Sequence, residues 1–120
     1  MNKSIIIISL FVFLFLSCNS KEKSSEEINK IFESYYQESL KLYPLSATSQ
    51  GDVRYNDFLP NNLSDDFRDK EKLFYNEYIN YLNKLDDSLL GEEDLLSKKI
   101  LLWECDRNLE RLSFNEHLTP

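Results

Sequence analysis

The sequence has 120 residues, two cysteines, one tryptophan and a formal net charge of −7 at pH 7. This length fits one domain, and an acidic chain without basic clusters argues against a nucleic-acid-binding protein. Such a chain also gains nothing from anionic lipid head groups, so attachment to a membrane would need an acyl anchor.

The N-terminus is typical of a secretory signal. Lys3 supplies a positive charge, and residues 5–16 form an apolar run that is shorter than the roughly 20 residues of a membrane span. The run ends in the letters FLSC at 15–18, which match a bacterial lipobox although a Phe stands where Leu is usual. We therefore predict a signal peptide over 1–17, with cleavage before Cys18 and acylation of its thiol and new amino group.

Two alternatives to a lipoprotein remain open, an ordinary signal peptide with a chance cysteine and an uncleaved anchor. If Cys18 is lipidated, Asn19 in the next position favours the outer membrane over the inner membrane. Residues 18–25 would form a polar tether that needs no fold. Cys105 would be left without a partner for an intramolecular disulfide.

The first predicted helix spans 26–42. The letters SSEE at 24–27 form a Ser-x-x-Glu capping box and place negative charge in the first turn. Pro44 ends the helix because it disfavours the α conformation at Tyr43. Helical spacing places six residues on one face: Ile28, Ile31, Phe32, Tyr35, Ser39 and Leu42.

The second predicted helix spans 65–85, with Ser64 as its N-cap. Asp65 and Asp66 complement the helix dipole. The apolar stripe consists of Phe67, Phe74, Tyr78, Tyr81, Leu82 and Leu85. The opposite side carries Arg68, Lys72, Asn76 and Asn83.

The third predicted helix spans 92–112 and has two apolar stripes. The first consists of Leu95, Leu101, Leu102, Cys105, Leu109 and Leu112. The second, more than a quarter-turn away, consists of Leu96, Ile100 and Trp103. A helix that is apolar on two sides needs neighbours on two sides. Three helices packed around a single core cover only one side of each helix. The sequence therefore predicts an all-α fold of three main helices that is the N-terminal piece of a larger helical protein.

A long segment, 43–64, connects the first two helices and is rich in turn residues. Segments of this length without regular structure are usually functional or disordered, and its aromatic residues argue against disorder. Arg54 lies between Asp52 and Asp57, so it could pair with either carboxylate or bind an anionic group. The alternative is a structural Ω-type loop that is packed by its own Tyr and Phe side chains and pinned by a salt bridge of Arg54.

Residues suited to metal binding or nucleophilic catalysis are few. His117 has no second histidine, and a zinc site needs three or four suitably spaced ligands. We therefore predict no metal ligand, cofactor or catalytic residue in this chain. Cys105 is expected to be a buried structural thiol, and Trp103 and the helical tyrosines are expected to be core residues.

Two stretches resemble a known family. LYPLSATSQGDVRYNDFLPNNLS at 42–64 and EEDLLSKKILLWECDRNLE at 92–110 are similar to the N-terminal region of the bacterial family called domain of unknown function 885. The resemblance covers about 28–120, but only about the first fifth of a typical member. The loop residues that match the family pattern are Asp52, Arg54, Tyr55, Asn56 and Asp57.

This resemblance implies a large helical envelope protein similar to zinc metallopeptidases of the carboxypeptidase Taq type. The expected zinc ligands, a His-Glu pair followed by Gly-His, would lie far beyond residue 120, so the resemblance transfers no catalytic residue to this chain. It implies that 26–120 is a truncated region, inactive alone, whose partner is the missing C-terminal part. The loop would form a folded cap between the first two helices. Its length and its Asp52, Arg54 and Asp57 side chains lead to the further hypothesis that it borders the substrate cleft.

Two other functional interpretations stay open from the sequence. The chain could be a small, non-enzymatic envelope lipoprotein that binds a partner protein through the loop and the second stripe of the third helix. It could also be a frame-shifted product without function. A continuation of the chain that carries the His-Glu signature would distinguish the first interpretation from these two.

Overall fold

The computed structural model describes residues 3–114, with side chains over 22–114, and this part of the chain is all-α as predicted. The helices are α1 (Lys3–Leu42), α2 (Pro44–Ser49), α3 (Asp65–Asn83) and α4 (Glu92–Ser113). A 3₁₀ turn (Asp87–Leu89) connects α3 to α4. Within this described part of the chain, no helix is both long and apolar enough to cross a membrane.

The start of α1 differs from the prediction. The helix does not begin at residue 26 but continues unbroken from Lys3, so the predicted tether over 18–25 is helical. That segment contains no Gly or Pro, and its Lys and Glu residues are favourable in helices. Ser24, which was predicted to cap the helix, lies within it and is buried.

The other predicted helices are confirmed, with small shifts at their ends. The Ser64 hydroxyl accepts a hydrogen bond from the backbone N–H of Phe67 at 3.3 Å, which is the predicted N-cap of α3. The third predicted helix corresponds to α4, which extends one residue further. The loop begins with a short helix that was not predicted, α2, which has a proline at its start.

The main core lies between α3 and α4, and α1 packs against it. Its buried residues are Phe74, Tyr75, Tyr78, Leu82, Leu101, Cys105 and Leu112. Tyr35 of α1 contacts this cluster, with its ring centroid 5.1 Å from the rings of both Phe74 and Tyr78. A smaller cluster joins Ile28 to Leu85 and Leu90 and covers the connection between α3 and α4.

Two cations on predicted helix faces are buried, and they tie α3 to α4. Arg68 was assigned to the solvent side of its helix, and this prediction was wrong, since it is 7% exposed. Its Nη2 donates to the carbonyl oxygen of Leu112 at 2.8 Å. Lys98 is 5% exposed, and its Nζ donates to the carbonyl oxygen of Leu85 at 3.0 Å. Each helix thus supplies a cation for the carbonyl groups at or just beyond the C-terminus of the other.

Candidate functional site

The loop over 43–64 folds back on itself after α2. The backbone N–H of Gly51 donates to the carbonyl of Thr48 at 3.0 Å, and that of Asp52 donates to Ala47 at 2.9 Å. Gly51 has a φ of +84°, in the left-handed region that residues with a side chain avoid. These bonds turn the chain and present Asp52 toward the residues that follow it.

Arg54 pairs with Asp52, one of the two carboxylates that the sequence offered. Its Nε lies 3.0 and 2.9 Å from the two carboxylate oxygens, and Nη2 lies 2.6 Å from Oδ2. These hydrogen bonds hold the pKa of Asp52 below its usual value. Nη2 of Arg54 also donates to Oε1 of Gln37 at 2.8 Å, so the pair fastens the loop to α1.

The other three candidate loop residues divide into two groups. The Arg54 guanidinium lies 5.4 Å from the ring centroid of Tyr55, a cation–π contact. Oδ1 of Asn56 accepts a hydrogen bond from Thr48 at 2.7 Å. Asp57 is exposed and makes no side-chain hydrogen bond or ion pair within residues 22–114. The structure therefore connects four of the five residues to the loop's own scaffold.

The loop contains the Arg54 salt bridge of the Ω-loop alternative, but it does not bury its Phe side chain as that alternative required. Phe58 is 56% exposed and Leu59 is 74% exposed. Three further apolar side chains of the segment are exposed: Leu45, Val53 and Leu63. The salt bridge of Arg54, rather than an apolar core within the loop, pins the loop.

A buried polar network at the base of the loop was not foreseen from the sequence. The Tyr43 hydroxyl donates to Oε1 of Glu71 at 2.7 Å and lies 2.7 Å from the Tyr75 hydroxyl. Nη2 of Arg111 donates to the same Glu71 oxygen at 2.9 Å. Burial raises the pKa of both tyrosines above the ordinary value, so the phenols stay protonated.

One sequence signal could have revealed this network. Glu71 lies four residues after Phe67 and seven before Tyr78, which places a carboxylate within the apolar stripe of α3. A buried carboxylate needs partners. Lys98 is likewise a charged residue next to the apolar stripe of α4, three residues before Leu101.

The second stripe of α4 is exposed, and we call Leu96, Ile100 and Trp103 the α4 seam. The three side chains are 59%, 56% and 66% exposed, so the expectation that Trp103 is a core residue was wrong. α1 and α3 cover only the first stripe, where Leu101 and Cys105 are buried. The α4 seam therefore points away from α1 and α3, on the side where the sequence predicted a second neighbour for this helix.

The remaining candidate residues do not form a site. Cys105 is a buried free thiol, as predicted, and burial raises its pKa to about 12. Within the described side chains, no three His, Cys, Asp or Glu residues come together to hold a metal, so these residues do not fit a zinc centre. His117 lies outside the described residues, and so does the side chain of Cys18.

Comparisons of the chain with protein-family models, with curated proteins and with solved structures found no match. The candidate surfaces are therefore defined by the structure alone. They are the loop with its Asp52–Arg54 pair and the α4 seam.

Proposed function

We propose that this chain is the lipid-anchored N-terminal region of an envelope protein of the domain of unknown function 885 family. The family assignment rests on the sequence resemblance of 42–64 and 92–110. In this proposal Cys18 carries the acyl chains, α1 connects the anchor to the folded helices, and the α4 seam packs against the later helices of the same protein.

The exposure of the α4 seam is the observation that carries this proposal. Three large apolar side chains at i, i+4 and i+7 form one continuous stripe, which is the pattern a helix uses to pack against another helix. Isolated apolar residues on a surface need no explanation, but a contiguous stripe marks an interface.

The described residues bring no three His, Cys, Asp or Glu side chains together as a ligand set for zinc. Zinc-dependent hydrolysis of a peptide-like substrate, with zinc as a Lewis acid and a Glu that activates water, would be the task of residues beyond this sequence. The role of residues 26–114 would be to anchor that body and to complete its helical packing.

A second candidate function uses the same surfaces. The exposed apolar side chains of the loop, together with the α4 seam, suit a small lipoprotein that binds a partner protein. This candidate needs no continuation of the chain. The two candidates differ in the size of the native molecule.

The experiment is to measure the size of the native protein in envelope membranes with an antibody raised against residues 64–85. A band several times larger than 120 residues supports the family proposal, and zinc content and peptidase activity should then be measured on that protein. A band at the size of the short chain, in the detergent phase, supports the small lipoprotein and overturns the first proposal.

A variant of the α4 seam tests the packing role directly. Ile100→Glu should lower the amount of assembled protein in the membrane, because a charge in a buried helix interface is costly. Leu73→Glu on α3 is the matched control, since Leu73 is 70% exposed and lies outside the seam. Equal amounts of the two variants would argue against the seam as an interface.

A further inference from the structure

A shallow groove runs between the end of α1, the start of α3 and the loop that connects them. One cavity of about 320 Å³ is lined by Glu38, Lys41, Leu42, Phe58, Pro60, Phe67, Lys70 and Phe74. A second, of about 380 Å³, shares Leu42, Pro60 and Phe67 with it and extends toward Asn61 and Asn62. Cavities of this size with mostly apolar walls and a few polar groups are typical of small-molecule sites.

The charges at this groove are unusual for so acidic a chain. Most cationic side chains over 22–114 pair with a carboxylate, a carbonyl group or an aromatic ring. Those without any such partner there are Lys23, Lys41, Lys70 and Lys99. Two of them, Lys41 and Lys70, line the same apolar cavity, and Glu38 is its only acidic lining residue.

We propose that this groove binds an amphipathic monocarboxylate, a fatty acid whose carboxylate lies between Lys41 and Lys70 and whose chain lies over Leu42, Pro60 and Phe67. Two ammonium groups against the single carboxylate of Glu38 leave a net positive charge that one anionic head group neutralises. The hydrocarbon chain removes the exposed Phe58 and the groove floor from water.

The walls of the groove favour a hydrocarbon chain over an extended peptide. The floor is formed by the apolar side chains of Leu42, Phe67 and Phe74, which offer no hydrogen-bonding groups. At the polar end, Oδ1 of Asn61 already accepts from the Leu63 N–H at 3.2 Å. A peptide would therefore leave its own amides unpaired in the groove, whereas a hydrocarbon chain has no such groups.

The test uses the full chain in nanodiscs of zwitterionic lipid, with a laurate that carries a photoreactive diazirine on its hydrocarbon chain. Labelling is expected on peptides that contain residues 41–45 and 58–74. Unlabelled laurate should compete, whereas dodecyltrimethylammonium, with the same chain and the opposite charge, should not. Absence of labelling at these peptides, or equal competition by the two head groups, overturns the proposal.

Lysine variants supply the matched comparison. The double variant Lys41→Gln/Lys70→Gln should lower the apparent affinity for laurate about three- to tenfold, as expected for two exposed ion pairs. The double variant Lys23→Gln/Lys99→Gln removes the same charge from unpartnered lysines that do not line either cavity. Equal affinities of the two double variants would mean apolar adsorption alone and would overturn the proposal.

Discussion

The guanidinium of Arg68 binds the carbonyl oxygen of Leu112, which joins the first turn of α3 to the last turn of α4. Nη2 of Arg68 also donates to the carbonyl of Phe114 at 2.8 Å. The last carbonyl groups of a helix have no hydrogen-bond partners inside the helix. Here a buried cation from the neighbouring helix donates hydrogen bonds to them. The contact fixes the ends of the two helices relative to each other.

Removal of this cap should destabilise the fold. We expect Arg68→Leu to lower the free energy of unfolding by about 2–3 kcal/mol, because two carbonyl groups lose a charged donor in a buried position. Urea unfolding followed by circular dichroism measures this value. Lys72→Leu on the same helix is the control, since its exposed pair with Asp69 is worth less than about 1 kcal/mol. Equal midpoints for the two variants would contradict the capping role.

The network below the loop should couple the loop to α3. Tyr43→Phe removes the hydroxyl that bonds to both Glu71 and Tyr75, and it should cost about 1–2 kcal/mol of unfolding free energy. Tyr36→Phe is the matched control, because that hydroxyl makes one long, exposed bond of 3.4 Å to Gln50. A double-mutant cycle with Glu71→Gln should show non-additivity, and additive losses would mean that the network does not act as a unit.

Gly51 should be required for the turn that follows α2. Its φ of +84° is unfavourable for a residue with a Cβ, so Gly51→Ala should destabilise the protein by about 1–2 kcal/mol. The surrounding space is open, and no atom lies within 4 Å of an added Cβ, so the cost comes from the backbone alone. Asn tolerates this conformation, and Gly51→Asn should therefore lose less. An equal loss for Ala and Asn would indicate a steric cause instead.

Stability should fall at alkaline pH. Burial raises the pKa of the Cys105 thiol from 9.0 to about 12 and that of the Tyr78 phenol from 10.0 to about 12. Because both groups hold their protons more tightly in the folded chain, their contribution is complete below pH 9 and is lost as the pH rises toward 12. Urea midpoints measured from pH 8 to pH 11 should decline. In Cys105→Ala, the decline of the urea midpoint should be weaker and should begin nearer pH 10. A pH profile identical to that of the unmodified protein would show that the Cys105 thiol does not contribute to the decline.

Fluorescence of the single tryptophan reports whether the α4 seam is covered. Trp103 is 66% exposed, so the 120-residue chain should show long-wavelength emission and strong quenching by iodide. In a complex that buries the seam, the emission should shift to shorter wavelength and the quenching should weaken. Blue-shifted, unquenched emission from the isolated chain would show that the stripe is already buried.

The three main helices, the two apolar stripes of α4 and the N-cap at Ser64 were predictable from the order of the residues. These features depend on spacing and on interactions within a few residues, and such interactions are the same in any fold that keeps the helix. The buried position of Cys105 followed from the same spacing. The start of α1 was misjudged because a capping box within a run of helix-forming residues does not by itself end the preceding helix.

Which charged residues are buried, and what they bind, depends on the packing of the helices. Arg68 contacts residues 44 and 46 positions away, and Glu71 meets Arg111 across 40 positions, so no local pattern contains these pairs. The choice of Asp52 over Asp57 by Arg54 depended on the turn at Gly51, and the groove with Lys41 and Lys70 exists only because the loop returns to the end of α1. These contacts follow from how the helices pack, because packing brings together groups that are distant in sequence.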